Sequence, residues 1–451
     1  MRSSRKHLRY LALAGVFASL TTFAGNSAAV GLVQAYTAAL KNDPTFRSAV
    51  YEHQAGQENK ALARAGLLPN LSANYSTSSN RSDITSPGLG GLPNTTYPNY
   101  RSKSATLQLR QSIINLDGVA RYLQASAQVS YADAQFSARQ QELVIRLVSA
   151  YVDAQFAEEQ LSLVEAQRDA YAEQQRINER MFQLGEGTRT DVLEAQSKAD
   201  AAQAQVIEAQ DNVSNSRNAL ASIVGMEIVG LDPLSESFKI RSLEPASLEE
   251  WKTLALSHNA EIDALRFAVD IQRQEINKSR AGHAPRMDFI STLSRGDSES
   301  INTLYQASVV RSVGVQVNIP LYSGGSVSAA TRQSVANAEK ARADLEAKTN
   351  QVMVEVRKQY SLALSSVGKI DALLKSVNSS QLLVEATRQS IKGGVRINLD
   401  LLNAQQQLFA ARRDLAQGRY GYLLSYLRLR NAAGVLNGSD LQTVAGYFAM
   451  R

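Results

Sequence analysis

The chain has no cysteine in 451 residues, which excludes disulfides, thiolate chemistry and lipid attachment through a cysteine after a cleaved leader. Histidine is almost as scarce. Beyond residue 29, His53, His258 and His283 stand singly, without the spacing of metal ligands. No Ser/His/Asp set, glycine-rich phosphate loop or paired carboxylate motif occurs, and Gly324-Gly325 reads as a turn, so neither catalysis nor a cofactor or metal is expected. Proline is missing from residues 118–185 and 325–394, leaving two stretches of about 67 to 69 residues free to be uninterrupted helix. The apolar stretch Leu11 to Phe23 falls short of the roughly 20 residues that a spanning helix needs, and Thr21, Thr22 and Asn26 dilute its surroundings. With basic Arg2, Arg5, Lys6 and Arg9 before it and Ser27-Ala28-Ala29 after it, residues 1–29 read as an export signal rather than an anchor. Removing those four basic residues lowers the formal net charge from +6 to +2, and a nucleic-acid partner is not implied.

The chain does contain a repeated seven-residue pattern, a large apolar residue followed three places later by a small one. From residue 192 the large positions are Val192, Ala199, Val206, Val213 and Leu220, and the small ones are Ala195, Ala202, Ala209 and Ser216, with Ile223 breaking the rule. From residue 401 the same frame reads Leu401, Leu408, Leu415, Tyr422 and Leu429, with Ala404, Ala411, Gly418, Ser425 and Ala432 between. The two frames are offset by 209 residues, so the chain is duplicated. Each copy contributes a long helix whose backbone approaches its neighbour along a supercoiled seam.

Each copy also changes period. Residues 32 to 62 read as helix interrupted at Asn42-Asp43-Pro44. After Pro69, Leu71, Ala73 and Tyr75 alternate with Ser72, Asn74 and Ser76, the signature of a strand with one apolar face. A polar segment, Ser78 to Asn99, reads as a long loop, and Ala105, Leu107 and Leu109 then alternate with polar residues in a second strand. The second copy follows the same grammar. Met287 and Phe289 form a strand, Ser294 to Asn302 a polar loop, and Val313, Val315, Val317 and Ile319 another strand. The exit Pro320-Leu321-Tyr322-Ser323-Gly324-Gly325 aligns with Ile113 to Gly118 at an offset of 207. At 1.5 Å per residue each proline-free helix would reach ~100 Å, which no compact domain needs. Gly185-Glu186-Gly187 and Gly393-Gly394 punctuate reversals, after which the heptad helices are expected to run back the same distance.

Strands with one apolar and one polar face suit a membrane barrel, although a sandwich would look similar. Four strands cannot close a barrel in lipid, so chains must share one. Two copies give a side-chain-filled interior, and three give twelve strands with room for a lumen, which polar Thr106, Gln108, Arg110, Gln316 and Asn318 favour. Arg311 falls on the lipid-facing parity, acceptable only near a rim.

These residues closely resemble the TolC family of outer-membrane channel proteins. The matching marks are the strand exits ending Asp117-Gly118 and Ile319 to Gly325, and the tip motifs Gly185 to Leu193 and Gly394 to Gln405. Asn42-Asp43-Pro44 and Leu68-Pro69 also fit, and the likeness spans residues 32 to 438. It implies a mainly α chain with a transmembrane β portion: a homotrimer with four strands per chain in a twelve-stranded outer-membrane barrel, a long coiled-coil α-barrel in the periplasm and an equatorial domain. The divisions expected are residues 1–29 as signal peptide, 30–224 as first repeat (strand pair 69–112, helical hairpin 119–224) and 225–250 as equatorial connection. Residues 251–438 then form the second repeat (strand pair 285–320, hairpin 326–436) and 439–451 a C-terminal tail.

The resemblance also implies function. The family's conduit serves an inner-membrane transporter, of ABC or RND type, through a periplasmic adaptor protein, in type I protein secretion or multidrug efflux. Its periplasmic gate would fall on Thr190 and Asp191, which bond to the second repeat, on Arg396, which ties neighbouring hairpins, and on Asp400, an acidic ring. Ile391 stands where the family's best-known member has a gate tyrosine, and Asn403 where it has a second acidic ring. Adaptor helices would dock on Leu184, Gly185, Glu186, Gly187, Gly393, Gly394 and Val395. The plainer reading of these positions is helix caps and solvated turns. A pore-less periplasmic scaffold or adaptor is the alternative for the whole chain, but adaptors carry a lipoyl-like β domain and an inner-membrane anchor, and neither is visible. The Gly394 to Gln405 tip looks like that of members serving protein secretion.

Overall fold

The computed structural model describes residues 29–449, except 88, 89, 91, 236, 237, 242, 301 and 302. The export signal therefore lies, apart from Ala29, outside the described residues. The first copy contains α1 (Leu32–Asn42), α2 (Pro44–Ala65), β1 (Asn70–Arg81), β2 (Ile84–Pro87), β3 (Pro93–Thr96), β4 (Asn99–Ile114), α3 (Leu116–Gln183) and α4 (Arg189–Val224). The second contains α5 (Leu248–His258), α6 (Ala260–Arg280), β5 (Arg286–Ser300), β6 (Thr303–Asn318), α7 (Ser326–Lys392) and α8 (Asn398–Ala432), followed by α9 (Gly438–Ala445).

The absence of proline allows α3 to run unbroken for 68 residues and α7 for 67. The return helices do not match them. α4 has 36 residues and α8 has 35, because Gly225 and Gly434, both with positive φ, end them. The other half of α3 is flanked by α2 and α6, and α6 also packs on α7. The heptad seam is real. All ten large and small positions of α8 from Leu401 to Ala432 are buried, as are Ala195, Ala199, Ala202, Val206, Ala209, Val213 and Leu220 of α4.

The duplication extends to the breaks between short helices. Asp43 caps α2 by accepting from the Thr45 N–H at 2.9 Å, and Asn259 caps α6 by accepting from Glu261 N–H at 3.0 Å and Ile262 N–H at 3.1 Å. Beside each break an amide reaches the last turn of the return helix: Asn42 Nδ2 donates to the Val224 carbonyl and Asn259 Nδ2 to the Ala432 carbonyl, both at 2.9 Å. Each amide thus satisfies a carbonyl that the helix end leaves free.

The main core lies part-way along α3, where Leu143, Leu147 and Tyr151 meet Leu32 and Ala35 of α1, Leu220 of α4, Leu423 and Leu427 of α8, and Leu441 and Val444 of α9. The Tyr151 hydroxyl donates to the Val30 carbonyl at 3.0 Å and accepts from the Asp232 N–H at 3.2 Å. Residues 439–451, expected as a tail, contribute most of α9 to this core, and Asp440 pairs with Arg430 at 2.6 Å. Backbone bridges join Val30 to Leu231 and Leu234 to Phe448, so both ends of the described chain meet the inter-repeat connection.

The strands form one antiparallel sheet in the order β1-β4-β5-β6. Leu71 faces Leu109, Leu107 faces Leu293, and Phe289 faces Val315, so the odd-numbered residues share one face across all four strands. Along β4, residues 101, 103, 105 and 107 are exposed while 102, 104, 106 and 108 are half-buried. On the even face near the helices, buried Asp288 accepts from Arg110 at 2.5 Å and from the Ser112 hydroxyl at 2.8 Å, with Arg286 also in contact. The polar loops expected at Ser78–Asn99 and Ser294–Asn302 are largely strand. β1 continues to Arg81, β2 and β3 form a small hairpin, and β5 continues to Ser300. Backbone pairing there persists after both faces become polar, which removes the alternation that marks a strand in sequence.

Asp43 is 2 % exposed, and besides capping α2 it pairs with Arg146 of α3. Replacing Asp43 by Ala removes a cap and a charge-assisted bond together, a loss of about 2–4 kcal/mol. Thermal melting followed by circular dichroism should show a clear drop for Asp43→Ala and a smaller one for Asp43→Asn, which keeps the cap.

Candidate functional site at the helical tips

Both hairpins reverse in the same way. At the end of α3 the Gly185 N–H donates to the Phe182 carbonyl at 3.1 Å and the Glu186 N–H to the Met181 carbonyl at 2.9 Å, with Gly185 at φ +78°. At the end of α7 the Gly394 N–H donates to the Ile391 carbonyl and the Val395 N–H to the Ser390 carbonyl, both at 2.9 Å, with Gly394 at φ +72°. These are paired Schellman closures, and the left-handed residue favours glycine in each. Gly187 is closely packed as well: a Cβ there would lie 3.1 Å from Met181 Cβ and 3.2 Å from the Phe182 nitrogen, so a larger residue would push these neighbours back by a few tenths of an ångström. Around these turns Leu184, Val395 and Ile397 are 67 %, 81 % and 62 % exposed, an apolar surface with no covering element in the single chain.

The expected gate residues occupy the first turns of α4 and α8. Asp191 closes a capping box: its N–H donates to Thr188 Oγ1 at 3.1 Å and its carboxylate accepts from the Thr188 N–H at 3.2 Å. Its carboxylate is therefore engaged within its own turn. Thr190, Arg396 and Asn403 are exposed and Asp400 is half-buried. None of these four side chains makes a hydrogen bond or ion pair within one chain among the described residues. Ile391 packs against Val384, Leu401, Ala404 and Leu408, inside the seam of its own hairpin. An isoleucine can fill this position but cannot hydrogen-bond across it.

The contact between the two hairpins is made by residues that sequence reasoning missed. Gln174 Nε2 donates to Asn178 Oδ1 at 2.9 Å and to Asn398 Oδ1 of α8 at 3.2 Å, and Asn178 Nδ2 donates to the Asp191 carbonyl at 2.9 Å. Asn178 is 1 % exposed. One turn away Leu402 of α8 enters the cluster of Tyr171, Ala195, Ala199 and Ala202, and Lys198 Nζ donates to Gln406 Oε1 at 2.8 Å. Burial raises the Tyr171 pKa, against a hydrogen bond from Gln167 that lowers it, so the hydroxyl stays protonated. The signal was present as the spacing 171, 174, 178, one helical face carrying two amides. Amides alone, however, do not announce burial.

A four-stranded antiparallel sheet joined to paired helices of this length has the build of a transport channel. The sequence pattern of the outer membrane efflux protein family matches residues 35–226 and 251–435, and the chain belongs to that family. It is an exit channel of the bacterial outer membrane. It is 42 % identical to the alkaline protease secretion protein AprF of Pseudomonas aeruginosa, over 93 % of this chain and 88 % of that one. It is 28 % identical to the outer membrane protein TolC of Escherichia coli, over 94 % and 86 %. Among solved structures, the CmeC outer membrane channel of Campylobacter jejuni shares the fold with a TM-score of 0.78 at 17 % identity, covering 93 % of this chain and 90 % of that one.

Replacing Asn178 by Ala removes its bonds to Gln174 and to the Asp191 carbonyl, a loss of about 1–3 kcal/mol at a buried site. Hydrogen exchange should accelerate across the first turns of α4 and α8 in Asn178→Ala, while the core around Tyr151 keeps its protection.

Proposed function

We propose that three copies of this chain form a closed duct through which a protein substrate passes from an inner-membrane transporter, by way of a periplasmic adaptor, to the cell exterior. The observation that carries this reading is the sheet. Its four strands leave β1 and β6 as open edges, and hydrocarbon does not tolerate unpaired backbone groups. Pairing β6 of one copy with β1 of the next satisfies both edges, and three copies supply twelve strands, enough for a lumen lined by the polar even face. Protein secretion is favoured over drug efflux because AprF and the 38 % identical PrtF of Dickeya chrysanthemi are both named for protease secretion. An ABC-type transporter suits that role.

In this reading the exposed Leu184, Gly185, Glu186, Gly393, Gly394 and Val395, with half-buried Gly187, receive the adaptor, which covers the apolar tip surface. Arg396 and Asp400 lack partners within the chain because their partners belong to neighbouring copies. Three symmetry-related charge-assisted links, each worth about 1.5–3 kcal/mol, can hold the mouth shut and still yield to a docked partner. Thr190 and Asp191 line the same mouth. With Asn403 neutral, Asp400 forms a single acidic ring, and Ile391 replaces a hydroxyl-mediated tie by packing.

The purified protein should run as a detergent-resistant trimer and conduct ions in planar bilayers; a non-conducting monomer would refute the shared barrel. Arg396→Ala should raise single-channel conductance severalfold, and Asp400→Ala should abolish block by multivalent cations. Unchanged currents in both variants would remove the gate assignment and leave the duct intact.

A further inference from the structure

The outward face of the sheet carries an unexplained set of cations. The odd-numbered face is apolar near the helices, through Leu71, Leu109, Phe289, Val313 and Val315. Moving away from the helices it becomes basic. Arg311 on β6 faces Leu293, Arg295 on β5 faces Ala105 and Val309, and Lys103 on β4 faces Asp297. Arg101 follows two residues beyond Lys103, in register with Ser79. Each of Arg311, Arg295 and Lys103 is thus the diagonal neighbour of the next, roughly 7–8 Å apart across the strands. All four cations are exposed, and none has an ion pair among the described residues. Asp297 is the carboxylate in register with Lys103, and Glu299 follows two residues further along β5.

Left alone, this arrangement is unfavourable. Like charges on adjacent strands repel, and arginine on the lipid face is most costly at mid-membrane and nearly neutral at the interface. Both costs fall if the cations sit at headgroup level against anions. The helices leave the sheet at the Asn70, Ile114, Arg286 and Asn318 end, so the basic end points away from the periplasm, toward the outer leaflet. We infer that Arg101, Lys103, Arg295 and Arg311 form a binding belt for a phosphate-bearing glycolipid of that leaflet. The guanidinium groups of Arg295 and Arg311 clamp its headgroup phosphates, and the apolar band below receives its acyl chains. The charges fit this occupant: four cations against the carboxylates of Asp297 and Glu299 leave a positive surplus that headgroup phosphates can neutralise, and bidentate arginine contacts suit phosphate oxygens. The inference rests on the reading of this sheet as part of an outer-membrane barrel.

The test uses the purified channel in neutral detergent, mixed with bisphosphorylated lipid A or with its dephosphorylated form. Bound lipid per chain is measured by native mass spectrometry, and conductance of the same preparation is recorded in planar bilayers. The wild-type channel should bind the bisphosphorylated lipid at least about tenfold more tightly, a difference of about 1.4 kcal/mol. Arg295→Thr with Arg311→Thr should abolish that preference, and Arg295→Lys with Arg311→Lys should retain most of it. Inorganic phosphate should not displace the lipid; efficient displacement would mean a small-anion site and overturn the proposal. Equal binding of the two lipids by the wild type, or an undiminished preference in the threonine variant, would also overturn it. If the threonine variant does not assemble, the wild-type comparison still decides the matter. A conducting channel that fails to discriminate sinks only the lipid belt, whereas a preparation that cannot conduct sinks the barrel reading beneath it.

Discussion

A strand surrounded by hydrocarbon needs a neighbour on each side, and the sheet of this chain ends in two strands that have only one. Its other features can be ordered around that constraint. The odd face, apolar near the helices, suits lipid, the polar even face suits water, and a parity shared across four strands from Ser112 to Ser298 along the pairing keeps the two apart, with register shifts at both limits. The base of the sheet is pinned on the wet side, where buried Asp288 draws Arg110, Arg286 and Ser112 together. Burying that carboxylate is tolerable because three donors meet it.

Below the sheet the problem becomes one of length. Helices of 67 and 68 residues cannot be stabilised by one globular core. The chain therefore packs each of them piecewise, with a short helix on one half and a returning helix on the other. Small residues along the return helices let the backbones close together, and polar clasps at both ends of the returning segments fix their lengths. At the near end, Asn42 and Asn259 hold the last carbonyls. At the far end, Gln174, Asn178 and Asn398 hold the two hairpins side by side. The far clasp is small and polar, and exposed Ile177 and Ile397 stand next to it in sequence. A region with those properties opens more readily than the middle of the molecule.

Much of this was legible in the residues. Heptads, glycine stops, strand alternation and the duplication offset located the helices, the strands and both tips, because each rests on a local rule of spacing or backbone conformation. Three things were not. Strand extensions beyond Ser78 and before Asn302 escaped because both faces are polar there, and backbone pairing leaves no trace in side-chain pattern. The halved return helices escaped because Gly225 and Gly434 stop the helices, and the heptads gave no warning that the long helices continue past them. The amide clasp at the tips escaped because Gln174 and Asn178 look like surface residues until Asn398, more than 200 positions away, is brought beside them.

The bridges joining Val30 to Leu231 and Leu234 to Phe448 tie a residue ahead of α1, the connection between the repeats and a residue beyond α9 into one waist. A polypeptide emerging in sequence order can form its rods and turns as they appear, but this waist stays open until Phe448 has been made. The girdle is therefore buckled after both repeats, by contacts between residues far apart in sequence.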